Sequence, residues 1–381
     1  MSPQITLIKS ALSRSGGLEK YTWQIAQEFC RQNGEVTLLT TEEPSPPFQH
    51  AGLRIVSFPV KPLLSVSKIL HFDKSCHEYL KQHPTPIVFS LDRNRFQTHH
   101  RAGNGAHIAY LNRRAKEEGW LKKCTFTLNP LHRTILRLEK KAFEHPLLQA
   151  LFTNSQMVKE EILHYYRVDP EKIHVIHNGV EWQEMHSSFE MWEAQKQKTC
   201  QTVHLDPQAY QLLFLGHNYR RKGLEKLLKA LSLLHFENFQ LSVIGKDKSL
   251  PYFQHLVQQL KLSHKVFFFG PQKETMRFYQ LADALVIPSL YDPFANVTVE
   301  ALSMGLFVIS SPHNGGKEVL TAQNGVVIPD LDDREGFADI LKEAMRQHKT
   351  RERARAIRHS VQHLDFSHQL KKMSDLTLGI H

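Results

Sequence analysis

Asp292 and Glu300 stand eight positions apart in the run Tyr291-Asp-Pro-Phe-Ala-Asn-Val-Thr-Val-Glu-Ala-Leu-Ser-Met-Gly305. An apolar run, Ala284-Leu-Val-Ile-Pro288, comes before it, and a second, Leu306-Phe-Val-Ile-Ser310, follows. Strand, loop, helix and strand make a βαβ unit, and loops at the carboxyl ends of parallel strands are where such sheets bind ligands. A helix beginning near Asn296 points free backbone N–H groups at an anion, with Asp292 just ahead of it and Glu300 one turn inside. That chemistry suits an anionic ligand flanked by hydroxyl-rich groups, of which a nucleotide sugar is one.

Arg221-Lys222-Gly223 follows another apolar run, at the mouth of a helix. The Arg fork and the Lys point charge could clamp a diphosphate, or could be two solvated loop charges. Placement at the carboxyl edge of the same sheet as the Asp292–Glu300 loop favours the clamp. Gly16-Gly17 after the first strand would let backbone approach a phosphate, although a tight strand-to-helix turn needs the same residues. No GxGxxG accompanies the pair, so a dinucleotide fingerprint is absent. Arg101-Ala-Gly-Asn-Gly-Ala-His107 sets Asn104 and His107 among small residues, as a close-fitting polar pocket would; among 24 histidines a surface role is the alternative. Asp330-Leu-Asp332 has the form of a metal-binding DxD, but its place before a helical stretch from Asp333 reads better as helix capping. Cys30, Cys76, Cys124 and Cys200 are far apart, which speaks against zinc and for reduced thiols.

These residues need a scaffold. The 381 residues alternate apolar strands with helices of about ten residues, and do so twice, so the expected fold class is α/β, with two doubly wound parallel-sheet domains facing a cleft. The first half has strands at Gln4–Lys9, Glu35–Thr41, Leu53–Val60, Ile87–Leu91 and Leu148–Thr153. The pattern restarts at Leu212–Leu215 and continues through Leu241–Ile244, Val266–Phe269, Ala284–Ile287, Leu306–Ser310 and Gly325–Ile328. The polar stretch Glu181–Gln201 reads as the edge of the connection. Expected boundaries are 1–181, 182–365, and a C-terminal helix at 366–381 packing back toward the first domain.

A formal charge of +10 calls for an anionic partner. No zinc-finger, RNP or helix-turn-helix pattern is present, so nucleic acid is not expected. No apolar run is long enough to span a bilayer, and the amino terminus lacks a signal-peptide pattern; the expected location is the cytoplasm. Between His107 and Glu144, Arg113, Arg114, Lys116, Lys122, Lys123, Arg133, Arg137, Lys140 and Lys141 interleave with Tyr110, Trp120, Phe126, Leu131 and Leu136. Such a segment can dock on anionic lipid, or it can be an ordinary amphipathic stretch whose apolar side is core.

Together these features resemble the retaining family 4 glycosyltransferases of GT-B fold over nearly the whole chain. The resemblance rests on Asp292-x7-Glu300, Arg221-Lys222-Gly223, Gly16-Gly17, and Thr153-Asn-Ser155 through Val175-Ile-His-Asn-Gly-Val180. Tyr291-Asp-Pro-Phe-Ala-Asn296, Arg101 to His107 and Asn129-Pro-Leu-His132 bring it nearer the lipopolysaccharide core glucosyltransferases. The resemblance implies Glu300 on the ribose of a uridine nucleotide, and Arg221 with Lys222 on the diphosphate. It implies Asp292 on donor-sugar hydroxyls and the amides of Asn296 and Val297 on the sugar or diphosphate. Gly16 and Gly17 would approach the diphosphate, and His107 or Asn104 the transferred sugar. It further implies a UDP-sugar donor, glucose first, with no cofactor or metal, and a glycolipid acceptor, while the basic stretch from His107 to Glu144 predicts peripheral attachment to the anionic inner face of a bacterial inner membrane. Asp292 replaces the family's usual Glu, one methylene longer, and Asn104 stands where similar sequences often carry Asp. Other polysaccharide or glycolipid acceptors, a non-catalytic nucleotide-sugar-binding protein, and an epimerase on the same architecture are the alternatives.

Overall fold

The computed structural model describes residues 4–12, 17–32, 34–42, 52–59, 65–119 and 125–380, with the side chains of 17–20 outside that description. The chain divides into two units, Met1–His177 with Ser367–His381, and Asn178–Phe366.

In the first unit, the strands are β1 (Gln4–Ile8), β2 (Glu35–Thr40), β3 (Leu53–Ser57), β4 (Ile87–Ser90), β5 (His99–Arg101), β6 (Ala150–Thr153) and β7 (Ile173–Val175). They form one sheet in the order β3-β2-β1-β4-β5-β6-β7, every pairing parallel. Around it lie α1 (Gly17–Arg31), α2 (Ser65–Gln82), α3 (His107–Glu118), α4 (Pro130–Phe143) and α5 (Gln156–Tyr165). Ile5, Leu7, Ile8, Leu38 and Leu39 are fully buried, as expected of parallel strands covered on both faces.

In the second unit, β8 (Tyr210–Leu215), β9 (Phe239–Ile244), β10 (Val266–Gly270), β11 (Ala284–Ile287), β12 (Phe307–Ser310) and β13 (Gly325–Val327) pair in the order β10-β9-β8-β11-β12-β13, again in parallel. Its helices are α6 (His186–Glu190), α7 (Trp192–Thr202), α8 (Leu224–Leu231), α9 (Leu250–Gln259), α10 (Met276–Leu281), α11 (Asn296–Ser303), α12 (Arg334–Met345) and α13 (Arg351–Ser360). In both sheets the strand order reverses once, between β1 and β4 and between β8 and β11. At such a switch point the loops leaving the two central strands diverge and open a crevice for ligands.

Three local readings change. β5 is a strand that the sequence did not announce, because its residues are His99, His100 and Arg101, all buried. Residues 182–202 are no linker edge: Trp182, Met185, Phe189, Trp192 and Cys200 enter the core of the second unit, so the polar composition belongs to the outer faces of α6 and α7. Helix α12 is capped by Asp333, whose carboxylate accepts from Gly336 N–H, while Asp330 accepts from Asp332 N–H one turn earlier. The last helix, α14 (Phe366–Leu378), packs within the first unit. Its Leu370 and Met373 are buried, and Tyr21 of α1 donates to Met373 Sδ at 3.4 Å.

Candidate functional site

At the β8/β11 switch point, the loop after β8 is a tight turn. Asn218 takes a left-handed conformation, its side chain accepts from Arg221 N–H and its carbonyl from Lys222 N–H at 3.0 Å. Gly223, with φ of 76°, closes the turn where a Cβ would lie 1.8 Å from the Pro288 carbonyl oxygen. Only glycine allows the loop to lie this close to the end of β11. Leu290 N–H then donates to Arg221 O at 2.9 Å, tying the two loops together.

This contact delivers the cations to the carboxylate. Lys222 Nζ lies 2.6 Å from Asp292 Oδ2, and Arg221 Nη1 lies 3.4 Å from the same oxygen while donating to Tyr291 O at 3.0 Å. Asp292 is itself fixed by backbone: its N–H donates to His313 O and its carbonyl accepts from Gly315 N–H. Three charges thus meet at one strand end, nearly all buried on the carboxylate side.

Helix α11 begins at Asn296 with Ala295 as N-cap and no side-chain cap. Asn314, fully buried, takes that structural duty from a distance. Its Oδ1 accepts from Ala295 and Gly316 N–H at 3.0 Å, and its Nδ2 donates to Ser310 and Thr298 hydroxyls. Asn296 is exposed and Val297 half-buried at the start of the helix, and Asn178 Nδ2 donates to Asn296 Oδ1 at 2.6 Å. Glu300, one turn on, accepts from Tyr279 Oη at 2.6 Å. Burial, and then Glu300, keep the Tyr279 hydroxyl well above its ordinary 10, so it donates at any working pH. Asn314 and Tyr279 are supports of the candidate site that sequence reading missed, since nothing in their own neighbourhoods points to partners 16 to 21 residues away.

The other candidates lie in the first unit. Gly16 lies outside the described residues, and Gly17 is the first residue of α1. At the β1/β4 switch point Asp92 accepts from Ser10 N–H at 2.6 Å, Ser10 Oγ at 2.7 Å and Lys9 Nζ at 2.9 Å, which hold its carboxyl below the ordinary value despite burial. The turn bearing Asn104 is pinned by Arg93 Nη2, which donates to Gly105 O, and by Asn154 Nδ2, which donates to Gly103 O. Asn104 is exposed. His107 opens α3, and its Nε2 sits 3.0 Å from His132 Nδ1. Burial, Arg93 and His132 push His107 down from 6.5 to about 4, so its ring is neutral near pH 7.

The basic segment is partly core. Leu138, Ala142 and Phe143 of α4 are buried, while Arg133, Arg137, Lys140 and Lys141 are exposed. Arg114 pairs with Glu118 at 2.6 Å and lies over the Phe126 ring. Trp120, Lys122, Lys123 and Cys124 lie outside the described residues; Cys30, Cys76 and Cys200 are free and buried. Among the described residues no three His, Cys, Asp or Glu side chains converge to hold a metal, and no helix is long and apolar enough to cross a membrane.

Two Rossmann-like units with a cation–carboxylate cluster at a switch point define a class, the GT-B sugar-transfer fold. Residues 15–184 match the Glycosyltransferase Family 4 model and residues 195–358 the Glycosyl transferases group 1 model. The chain belongs to the family 4 glycosyltransferases of GT-B fold. It is 24% identical over 372 residues to the lipopolysaccharide glucosyltransferase WaaG of Escherichia coli, covering 96% of both chains. An uncharacterised glycosyltransferase of Methanocaldococcus jannaschii is 31% identical over 180 residues, 46% of each chain. The crystal structure of WaaG superposes with a TM-score of 0.78 at 22% identity, covering 98% of this chain and all of that one, and it supports the fold.

Proposed function

We propose that this glycosyltransferase is a retaining enzyme that moves a hexose, glucose first, from a UDP-sugar to a lipid-linked glycan acceptor of the lipopolysaccharide-core kind. The observation that carries the proposal is the junction of Lys222 and Arg221 with Asp292 across the β8/β11 switch point. The name of the Escherichia coli relative supports glucose and this acceptor class.

Breaking a sugar–phosphate bond leaves negative charge on the departing diphosphate. Fixed cations placed where that charge develops lower the barrier more than they strengthen substrate binding. Arg221 and Lys222 fill that role, with the amides of Asn296 and Val297 at the start of α11 adding N–H dipoles. No metal is needed if these groups supply the charge. Asp292 keeps both cations in place and offers its remaining oxygen to sugar hydroxyls, while Glu300, oriented by Tyr279, accepts from the ribose. In the first unit, Asn104 and His107 are assigned to the transferred sugar by the family resemblance. Retention follows if the acceptor hydroxyl attacks from the leaving-group side and passes its proton to the departing phosphate.

A screen of UDP- and GDP-sugars for donor hydrolysis tests the reading, with UDP-glucose expected to turn over fastest. Arg221→Ala with Lys222→Ala should abolish turnover, and survival of full activity in that double variant would sink the clamp. Donor binding without turnover in any acceptor mixture would instead favour a nucleotide-sugar-binding protein. The exposed cations of α4 further support peripheral attachment to the anionic inner face of the inner membrane. In liposome flotation, recovery should need anionic lipid; equal recovery on neutral vesicles would remove the electrostatic attachment.

A further inference from the structure

We propose that one face of α4, through His132 and Glu139, positions His107 and fixes the hydrogen-bonding state of its ring. The inference rests on His107 taking part in the transfer proposed above.

His132 and Glu139 are seven residues apart, two helical turns, and so share a face of α4. Both reach the same residue. The carboxylate of Glu139 is fully buried and accepts from His107 N–H at 2.8 and 3.0 Å. That bond caps α3 from outside, since its N-cap, Ala106, has no side chain able to do so. Arg93 Nε at 2.5 Å and Tyr166 Oη at 2.6 Å donate to the same carboxylate and lock its orientation. Arg93 also donates to Gly105 O at 3.0 Å, so one guanidinium joins Glu139 to the turn beside Asn104.

Seven residues earlier, His132 Nδ1 meets His107 Nε2 at 3.0 Å, the rings tilted by 42°. A contact between two imidazole nitrogens at this distance is a hydrogen bond only if one of them carries a hydrogen and the other does not. Two protonated rings cannot make it. The charged and titratable groups around the pair are Arg93, Tyr110, Glu139 and, beside His132, Arg114. The cations disfavour a second positive charge, and burial disfavours it further. One ring therefore donates and the other accepts, which ties the tautomer of His107 to that of His132 and leaves Nδ1 as its remaining ring nitrogen, with its backbone bonded to Glu139. This makes it a fixed neutral hydrogen-bonding group, and His132 a positioning residue.

Removing Glu139 would strand Arg93 beside a buried gap, so the His132 variants, which leave that ion pair intact, carry the test. Asparagine places an amide near the position of Nδ1 and can restore the bond; alanine cannot. In the full-length protein labelled with nitrogen-15 histidine, the His107 ring signals are assigned against His107→Gln. The unmodified protein should show a single His107 tautomer that does not titrate between pH 8 and 5.5. His132→Ala should bring tautomer exchange and lower kcat about tenfold, the effect expected from one orienting hydrogen bond, with KM for the donor unchanged. His132→Asn should restore both. The proposal is overturned if His132→Ala behaves as wild type in ring state or in kcat, or if His132→Asn is as impaired as the alanine variant. Calorimetric titration with UDP runs alongside: a wild-type protein that neither binds UDP nor turns over refutes the function proposed above, while the ring signals still decide the role of His132.

Discussion

Lys222 and Asp292 illustrate how one side chain can serve two partners. Under the proposed function, the carboxylate that orients the ammonium would also compete with the donor diphosphate for it. Lys222→Ala is expected to lower kcat by about 10²- to 10³-fold, the range for losing one preorganised group at a developing anion, measured by steady-state release of UDP. Tyr279→Phe removes the hydroxyl that orients Glu300 and should raise the donor KM about fivefold, since one such bond is worth about 1 kcal/mol, with kcat little changed. A larger fall in kcat than in affinity would show that Glu300 acts in the transition state. At this scale the sequence disclosed the residues that carry charge, because Arg221, Lys222 and Asp292 stand in loops that follow apolar runs and Glu300 one turn into the helix after them. It did not disclose Asn314 or Tyr279. Each bonds across the fold, and an Asn or Tyr in a polar context gives no local sign of such a partner.

Among elements, the second unit was the more legible. Runs such as Ala284–Ile287 and Phe307–Ser310 are buried on both faces and are written in uninterrupted apolar residues. β5 hid behind the opposite chemistry. His-His-Arg occupies an interior strand of the sheet, where the imidazole of His99 meets the neighbouring Thr98 and the guanidinium of Arg101 lies over the ring of Tyr21 on α1. Polarity concealed an element that only tertiary contacts could reveal. The loop between β8 and α8 gives a sharper test. Gly223→Ala would drive a methyl into the Pro288 carbonyl and must open the contact that delivers Lys222 to Asp292, so UDP affinity should fall at least tenfold in calorimetry. Gly270→Ala shares a positive φ but meets nothing within 4 Å; it should cost about 1 kcal/mol of stability in urea denaturation and leave UDP affinity intact.

For the whole molecule, buried imidazoles set the response to acid. His99 is pushed down to about 4 and His100 to about 3, each chiefly by burial, and His107 to about 4. The unfolded chain, with histidines near 6.5, takes up protons first as pH falls. The stability these groups contribute is complete above about pH 6.5 and is lost progressively as pH falls, toward about 4 for His99 and His107 and about 3 for His100. Urea midpoints at pH 7.5 and pH 5 should differ accordingly, and a flat profile would refute the neutral burial of these rings. Lys349 is a liability of another kind. Its Nζ is buried without a hydrogen-bond partner against the Trp192 ring, and burial pushes it down to about 7. Lys349→Met should raise the melting temperature at neutral pH, by a shift equivalent to about 1 kcal/mol.

The placement of α14 in the first unit also has a temporal side. A ribosome releases β1 to β7, then the whole of the second unit, and only afterwards the helix whose Met373 meets Tyr21 of α1. If the first sheet forms as soon as its strands emerge, the α1 surface around Tyr21 stays uncovered for that interval. On that order of folding, forming the sheet and sealing it are separate events, and an apolar face would be open to chaperones for as long as residues 178–366 take to be made.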